Sequence, residues 1–96
     1  MEFTAPNSSG YTVYGKTGCS YCEKAKALLT EYEQEFIYVN CDEYLLTDRD
    51  AFLEFIQGLA KQEYRTFPMI FSDATFIRGY TDTIRQFMLT GTGLDK

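Results

Sequence analysis

The chain has 96 residues, 45% of them apolar, which is enough for one compact domain with its own core and too few for two. Fourteen Asp and Glu against nine Lys and Arg leave a net charge of −5, which opposes broad attraction to nucleic acid or anionic lipid, and no apolar run approaches the length that crosses a bilayer. Three cysteines are an odd number for a disulfide-stapled scaffold, and the absence of histidine removes the usual general base, the usual cysteine activator and the commonest metal ligand together.

Residues 1–10, with Pro6, Asn7, Ser8, Ser9 and Gly10 in succession, read as a loose leader without the basic start and apolar run of an export signal. A reducing, cytosol-like compartment is therefore expected, with residues 11–96 forming a single domain. Tyr11 to Tyr14 is β-prone and runs into the loop Gly15-Lys16-Thr17-Gly18. From Cys19 to about Glu33, Cys22, Ala25, Leu28, Leu29 and Tyr32 recur at helical spacing with charged residues between them. Phe36 to Val39 is a short apolar run suited to a buried strand.

Thr47 with Asp50 resembles a helix start, and Phe52, Phe55, Ile56, Leu59 and Ala60 follow on one face, interrupted by Gly58, which costs about 1 kcal/mol relative to alanine and is expected to thin the contact with the sheet. Met69 to Phe71 and Thr75 to Ile77, joined by Ser72-Asp73-Ala74, predict a hairpin. Gly79 breaks the pattern. Thr81 or Asp82 then caps a last helix carrying Ile84, Phe87 and Met88, ended by Gly91 and Gly93.

The predicted order is β-α-β-α-β-β-α. The right-handed crossover rule makes its first three strands mostly parallel, and the hairpin adds one antiparallel edge strand. A four-stranded mixed sheet flanked by helices on both faces is an α/β architecture, the thioredoxin fold in its shortest form.

Cys19-Ser20-Tyr21-Cys22 places two thiols three residues apart at the start of a helix, on one face and within bridging reach. A free cysteine near neutral pH is only a few per cent thiolate, and the unpaired N–H groups and positive dipole end of a helix N-terminus stabilise that form. Cys19 is thus the attacking thiol, with Lys16 as the one nearby cation, and Cys22, a turn deeper, resolves the mixed disulfide. Zinc would need a second ligand pair where only Cys41 remains. Two buried helix cysteines packed as small apolar residues would satisfy the spacing as well, but the strand, glycine loop and helix around them favour redox chemistry. Cys41 itself reads as a partly buried spectator thiol, with a regulatory disulfide as the alternative. Pro68 cannot donate to a central ladder and belongs at a strand entry, and X-Pro bonds are cis only about 5–6% of the time, so the residues alone favour trans.

Taken together, the Lys16 loop, Cys19-Ser20-Tyr21-Cys22, Thr66-Phe67-Pro68 and Gly79-Tyr80-Thr81-Asp82 resemble the glutaredoxins of the dithiol class in order and spacing, over roughly Tyr11 to Met88. The resemblance implies a glutathione-dependent oxidoreductase that reduces protein–glutathione mixed disulfides and protein disulfides, with a role in cellular redox homeostasis. It implies a cis bond before Pro68, with the backbone of Phe67, beside Thr66, pairing with the cysteinyl part of glutathione. It further implies that Gly79, Tyr80, Thr81 and Asp82 receive the γ-glutamyl end, that Lys16 takes the glycyl carboxylate, and that Tyr21 borders the site. A helix N-terminus near Thr81 suits a carboxylate, and Asp82 suits an ammonium group. Arg65 and Arg78 flank these segments and could add positive field.

Two positions depart from the pattern. Ser20 stands where dithiol relatives commonly carry proline, and some relatives with this change hold a glutathione-ligated iron–sulfur cluster between two subunits, so a cluster carrier using Cys19 is the alternative function. Arg78 stands where the family usually shows the first glycine of a pair. The expected state is a monomer, dimeric only around a cluster, and ribonucleotide reductase is a family-level partner. A thioredoxin-type donor reduced by a flavoenzyme is the remaining reading. Tyr11, Tyr14, Phe36 and Phe52 fall in core patterns and are not read as a base-stacking surface.

Overall fold

The computed structural model describes residues 2–90. In chain order they form β1 (Tyr11–Gly15), α1 (Ser20–Glu31), β2 (Phe36–Asn40), α2 (Asp42–Ala60), β3 (Met69–Ser72), β4 (Thr75–Arg78) and α3 (Tyr80–Thr90), with the sheet ordered β2-β1-β3-β4. Among the described residues no helix is long and apolar enough to cross a membrane.

Successive side chains of a strand point to opposite faces, and that alternation builds two cores. Tyr14, Met69 and Phe71 join Cys41, Phe52, Leu53 and Ile56 under α2. Val13 and Ile70 meet Ala25, Leu29 and Phe87, from α1 and α3, on the other face. Helices therefore cover both faces, as expected.

Strand direction differs from expectation. β1 pairs with β2 in parallel, Tyr11 opposite Phe36 and Gly15 opposite Asn40. β3, however, runs antiparallel to β1, Tyr14 opposite Met69 and Tyr11 opposite Ser72, so β1–β2 is the sole parallel pair of the described sheet. The crossover rule governs only a chain that returns to the end of the sheet it started from. Residues 61–68 are long enough, at roughly 3.3 Å per residue, to carry the chain back along α2 to the opposite end. β3 consequently begins where β1 ends.

α1 buries Cys22, Ala25 and Leu29 and stops at Glu31, where Glu33 turns left-handed at φ 57° and the freed carbonyl of Leu29 takes the Gln34 N–H at 2.9 Å. α2 starts five residues before the predicted Thr47. It contains a break at Asp48 (φ −155°, ψ 70°), whose carboxylate accepts the Ala51 N–H at 3.3 Å. Asp48, rather than Thr47, thus caps the long apolar turn. The first stretch escaped the pattern because Leu46 is 89% exposed and breaks its periodicity. Farther along, Phe52 and Ile56 are buried as expected, while Leu53 takes the place expected of Leu59, which is exposed.

Gly58 also corrects an expectation: a Cβ there would meet nothing within 4 Å, so its missing side chain does not thin the sheet contact. α3 buries Thr83 and Phe87, whereas Met88 faces solvent. Its cap is Gly79, whose N–H is taken by the Asp82 carboxylate at 3.4 Å, a reach-back from the first turn, with the Thr83 hydroxyl donating to the Gly79 carbonyl. Gly91 and Gly93 lie outside the described residues.

Residues 2–10 form no helix or strand, and several of them contact the sheet and α2. Phe3 packs against the rings of Tyr44, Phe52 and Phe55 at 5.0, 5.5 and 5.3 Å. The buried Tyr14 hydroxyl donates to the Thr4 carbonyl at 2.7 Å, and the Asn7 N–H reaches Thr12 Oγ1 at 2.9 Å. A buried phenol needs an acceptor, and this segment supplies it.

Two outcomes are expected in urea denaturation. Gly58→Ala raises stability by about 0.5–1 kcal/mol, because it removes a helix-interior glycine without creating a clash. Phe3→Ala lowers it by about 1–2 kcal/mol, in proportion to the half-buried ring surface it exposes.

Candidate active site

β1 delivers the chain into a loop whose turn uses Gly18 at φ 81°. The loop is tied down by Asp42 at the start of α2: its carboxylate accepts the Thr17 N–H at 2.9 Å and the Thr17 hydroxyl. Cys19 follows as the N-cap of α1, in extended geometry (φ −99°, ψ 108°), and its sulfur accepts the Cys22 N–H at 3.2 Å. A cysteine here replaces the oxygen acceptor usual at an N-cap, so the orphan helix N–H points at sulfur.

The two sulfurs lie 2.6 Å apart, and the Cys22 thiol donates to Cys19. Their surroundings differ. Cys19 is partly exposed and Cys22 is wholly buried. Burial pushes the Cys22 thiol up to about 12, the hydrogen bond to Cys19 adds to that, and a backbone hydrogen bond from Lys16 and one from the Tyr38 side chain oppose it. Cys22 therefore rests as a thiol at neutral pH, and the sulfur available to an incoming disulfide is Cys19.

Because β3 starts beside the end of β1, its entry residues face the helix cap. The Phe67–Pro68 bond is cis, as the resemblance implied and the residues alone did not, and the Phe67 carbonyl lies 3.8 Å from Cys19 Sγ. Beyond it runs a groove of about 180 Å³ lined by Tyr21, Tyr64, Phe67, Pro68, Gly79, Tyr80, Thr81 and Asp82. The structure thus gathers most of the sequence-predicted positions along one groove. Lys16 stands at its rim, with the ammonium 5.4 Å from the Phe67 ring centroid, while Thr66 is exposed and does not line it. Tyr21 and Tyr80 face each other with ring centroids 5.8 Å apart.

Tyr64 was missed by sequence reasoning. It lies in the aperiodic segment before β3 and carries no motif. Its only trace is the neighbouring Gly79, where a Cβ would sit 2.8 Å from the Tyr64 hydroxyl. Of the two flanking arginines, Arg65 pairs with Glu63 at 3.0 Å and lies against α2 residues, away from the groove. Arg78 holds φ 83°, the left-handed conformation that glycine supplies without strain, and its Nε lies 4.0 Å from Asp82 Oδ2. The glycine that the family resemblance leads one to expect here would meet this backbone demand without strain, and in this chain a charged residue meets it.

Cys41 is fully rather than partly buried, among Phe52, Met69 and Phe71, with its thiol donating to the Val39 carbonyl at 3.5 Å. Burial pushes it up to about 12, with the neighbouring Cys22 and Asp42 adding to the effect. Among the described residues no cluster of three or more His, Cys, Asp or Glu could hold a metal ion.

A small mixed sheet presenting a Cys-X-X-Cys pair at the head of its first helix, opposite a cis-proline strand entry, is the framework of thioredoxin-fold thiol–disulfide oxidoreductases as a class. The glutaredoxin family model matches residues 11–77, and the chain belongs to the glutaredoxin family. Over 75 residues it is 39% identical to Glutaredoxin-2, mitochondrial, of Pongo abelii, covering 76% of this chain and 43% of that protein. It is 33% identical over 75 residues to Glutaredoxin 1 of Escherichia coli, covering 73% of this chain and 82% of that protein. The chain thus spans less than half the length of its mitochondrial relatives. Among solved structures it is similar to glutaredoxin 1 of Francisella tularensis in complex with cacodylate (TM-score 0.69, 27% identity, 83% of this chain and 95% of that one). It is similar as well to the buckwheat glutaredoxin–glutathione complex (TM-score 0.69, 26% identity, 94% and 84%).

The Asp42 tether has a measurable pH signature. Its hydrogen bonds from the Thr17 side chain and backbone hold the Asp42 carboxyl below its ordinary value, with Lys16 contributing. A carboxylate depressed in the folded state stabilises the loop above its unfolded value, and that contribution is lost as pH falls through the folded value. The Thr17 amide resonance should accordingly shift with a midpoint below the usual aspartate range, and Asp42→Ala should abolish the transition and speed hydrogen exchange at Thr17.

Proposed function

We propose that this domain is a glutathione-dependent thiol–disulfide oxidoreductase, acting on protein–glutathione mixed disulfides through Cys19 and on protein disulfides through Cys19 and Cys22. The observation that carries the reading is the placement of Cys19: a part-exposed sulfur at a helix N-terminus, 3.8 Å from the Phe67 carbonyl, at one end of a groove whose far end is the first turn of α3. The glutathione complex of the buckwheat structural neighbour supports the choice of co-substrate.

The cycle follows from the two sulfurs. Cys19 thiolate attacks the glutathionyl sulfur of a modified protein, forming a Cys19–glutathione disulfide and releasing the protein thiolate, which takes a proton from water. A second glutathione thiolate attacks the glutathionyl sulfur, giving glutathione disulfide and restoring Cys19. With a protein disulfide, Cys22 displaces the substrate from Cys19 and leaves an internal disulfide, which two glutathiones reduce. The Phe67 backbone, as an extended segment, would pair with the peptide backbone of glutathione. The N–H groups of Tyr80 and Thr81, in the first turn of α3, would receive its γ-glutamyl carboxylate, with Asp82 opposite the ammonium and Lys16 toward the glycyl carboxylate. Such a domain would act as a monomer in a reducing cytoplasm, with ribonucleotide reductase a candidate among disulfide-forming partners.

Glutathione-coupled reduction of a glutathionylated peptide tests this directly. Cys19→Ser is expected to lose at least a hundredfold in turnover, whereas Cys22→Ser retains peptide turnover and loses reduction of protein disulfides. Absence of turnover in the wild-type chain and in Cys22→Ser, with folding intact, would remove glutathione from the reading. Visible absorption after anaerobic iron–sulfur reconstitution that vanishes in Cys19→Ser would then transfer it to a cluster carrier.

A further inference from the structure

The α3 end of the groove carries a charge arrangement that the sulfur chemistry does not require. A ligand whose terminus is an amino acid presents two charges there: a carboxylate, which suits the N–H groups of Tyr80 and Thr81, and an ammonium, for which Asp82 is the acid among the lining residues. Asp82 already has partners. Its Oδ2 accepts the Gly79 N–H at 3.4 Å and stands 4.0 Å from Arg78 Nε, the cation paired with it among the described residues. Arg78 is the last residue of β4, the edge strand, and holds φ 83°. The next residue, Gly79, leaves no room for a side chain, since a Cβ there would lie 2.8 Å from the Tyr64 hydroxyl. The positive charge that this turn offers to Asp82 therefore comes from residue 78. Lys16, by contrast, stands over Phe67, at the Cys19 end of the groove.

The Arg78 and Asp82 side chains are 57% and 36% exposed, so the pair is of modest strength and open to a ligand. It acts on the two ligand charges in opposite directions. The guanidinium offsets the carboxylate that would attract an ammonium and repels the ammonium directly, while its attraction for a ligand carboxylate is kept. We propose that Arg78 is a specificity-determining residue of the groove: by pairing with Asp82 it removes most of the selection for an α-ammonium group. Cys19 then exchanges with thiols whose far terminus is a carboxylate without an amine almost as well as with glutathione. The proposal rests on the glutathione reading above and states which part of that ligand this chain does not select.

The test compares glutathione with glutaryl-cysteinylglycine, the same molecule without its α-amine. In Cys22→Ser, which cannot close an internal disulfide, Cys19 thiolate attacks the symmetric disulfide of either ligand. The Cys19–ligand bond forms, the ligand–ligand bond breaks, and the electron pair leaves on the released ligand thiolate. After equilibration with equal amounts of both disulfides and both thiols, mass spectrometry gives the ratio of the two adducts. Dividing by the ratio for the same protein in urea isolates the preference of the folded groove. With Arg78 present the preference for glutathione should be below about twofold, and it should rise about three- to fivefold in Arg78→Gly, which suits the left-handed backbone and removes the cation. Arg78→Lys should stay near the parent, and adding Asp82→Asn to Arg78→Gly should return the ratio to it. An unchanged or lowered ratio in Arg78→Gly, in a parent that prefers glutathione over its urea reference, overturns the proposal and leaves the glutathione reading standing. Adducts at the urea ratio in every variant, Arg78→Gly included, would show that the groove does not take the γ-glutamyl end, and would remove that reading together with the proposal.

Discussion

Two sulfurs one helical turn apart are held in opposite surroundings, and the other features of the site follow from that. Cys19 takes the place of an N-cap oxygen, so the helix start that would otherwise be capped by Ser or Asp presents its N–H to a reactive atom. Cys22, on the inward face of the same turn, joins the buried row with Ala25 and Leu29. One face of a single helix thus sets both positions: the cap is at the surface and the inward row is in the core. The exposed sulfur can carry charge and the buried one cannot without help.

The antiparallel entry of β3 converts that pair into a site. A third parallel strand would have placed Phe67 and Pro68 at the far end of the sheet from Cys19. With β3 reversed, the Phe67 carbonyl faces Cys19, and the hairpin that follows returns the chain to place the first turn of α3 along the same groove. That turn is already partly satisfied from within. Asp82 accepts the Gly79 N–H and stands near Arg78, so a ligand ammonium there would share the carboxylate with a resident cation. The left-handed Arg78 backbone holds its side chain beside that acid, a feature a glycine at the position would lack.

Much of this was legible in the residues because it is local. The Cys-X-X-Cys spacing, the Cys22, Ala25, Leu29 row, the Ser72-Asp73-Ala74 turn and the break at Gly79 each express themselves within one or two turns of chain. What escaped notice depends on contacts distant in sequence. The direction of β3 is decided by where residues 61–68 lead, and no periodicity records that path. Phe3 and Tyr64 acquire their roles from α2 and Gly79, and an isolated aromatic in a sequence looks like any core residue until its partner is known. Arg78 stands out in the sequence as a departure and as a flanking charge, but its left-handed backbone does not, since a positive φ leaves no mark on a charged residue. The polar composition around Phe3 likewise carries no sign of its ring contact with Tyr44.

The charge distribution links the site to the acidity of the whole chain. In a protein of net charge −5, three lysines of the β1–α1 loop and α1 are each set over an aromatic ring: Lys16 over Phe67, Lys24 over Tyr21 and Lys26, which also pairs with Glu23, over Tyr38. Such contacts are worth about 0.5–1 kcal/mol at exposed positions, so their effect on overall stability is small. Their effect on the local field is larger in consequence, because a ring contact fixes where an otherwise mobile ammonium spends its time. Substrate thiolates and peptide carboxylates approaching Cys19 would then meet a positive rim on an otherwise repelling surface. Without histidine, the chain has no side chain that changes charge near pH 7 by its ordinary value. Control of the sulfurs therefore falls to features that do not titrate in the physiological range: the helix N–H that points at Cys19 and the burial of Cys22.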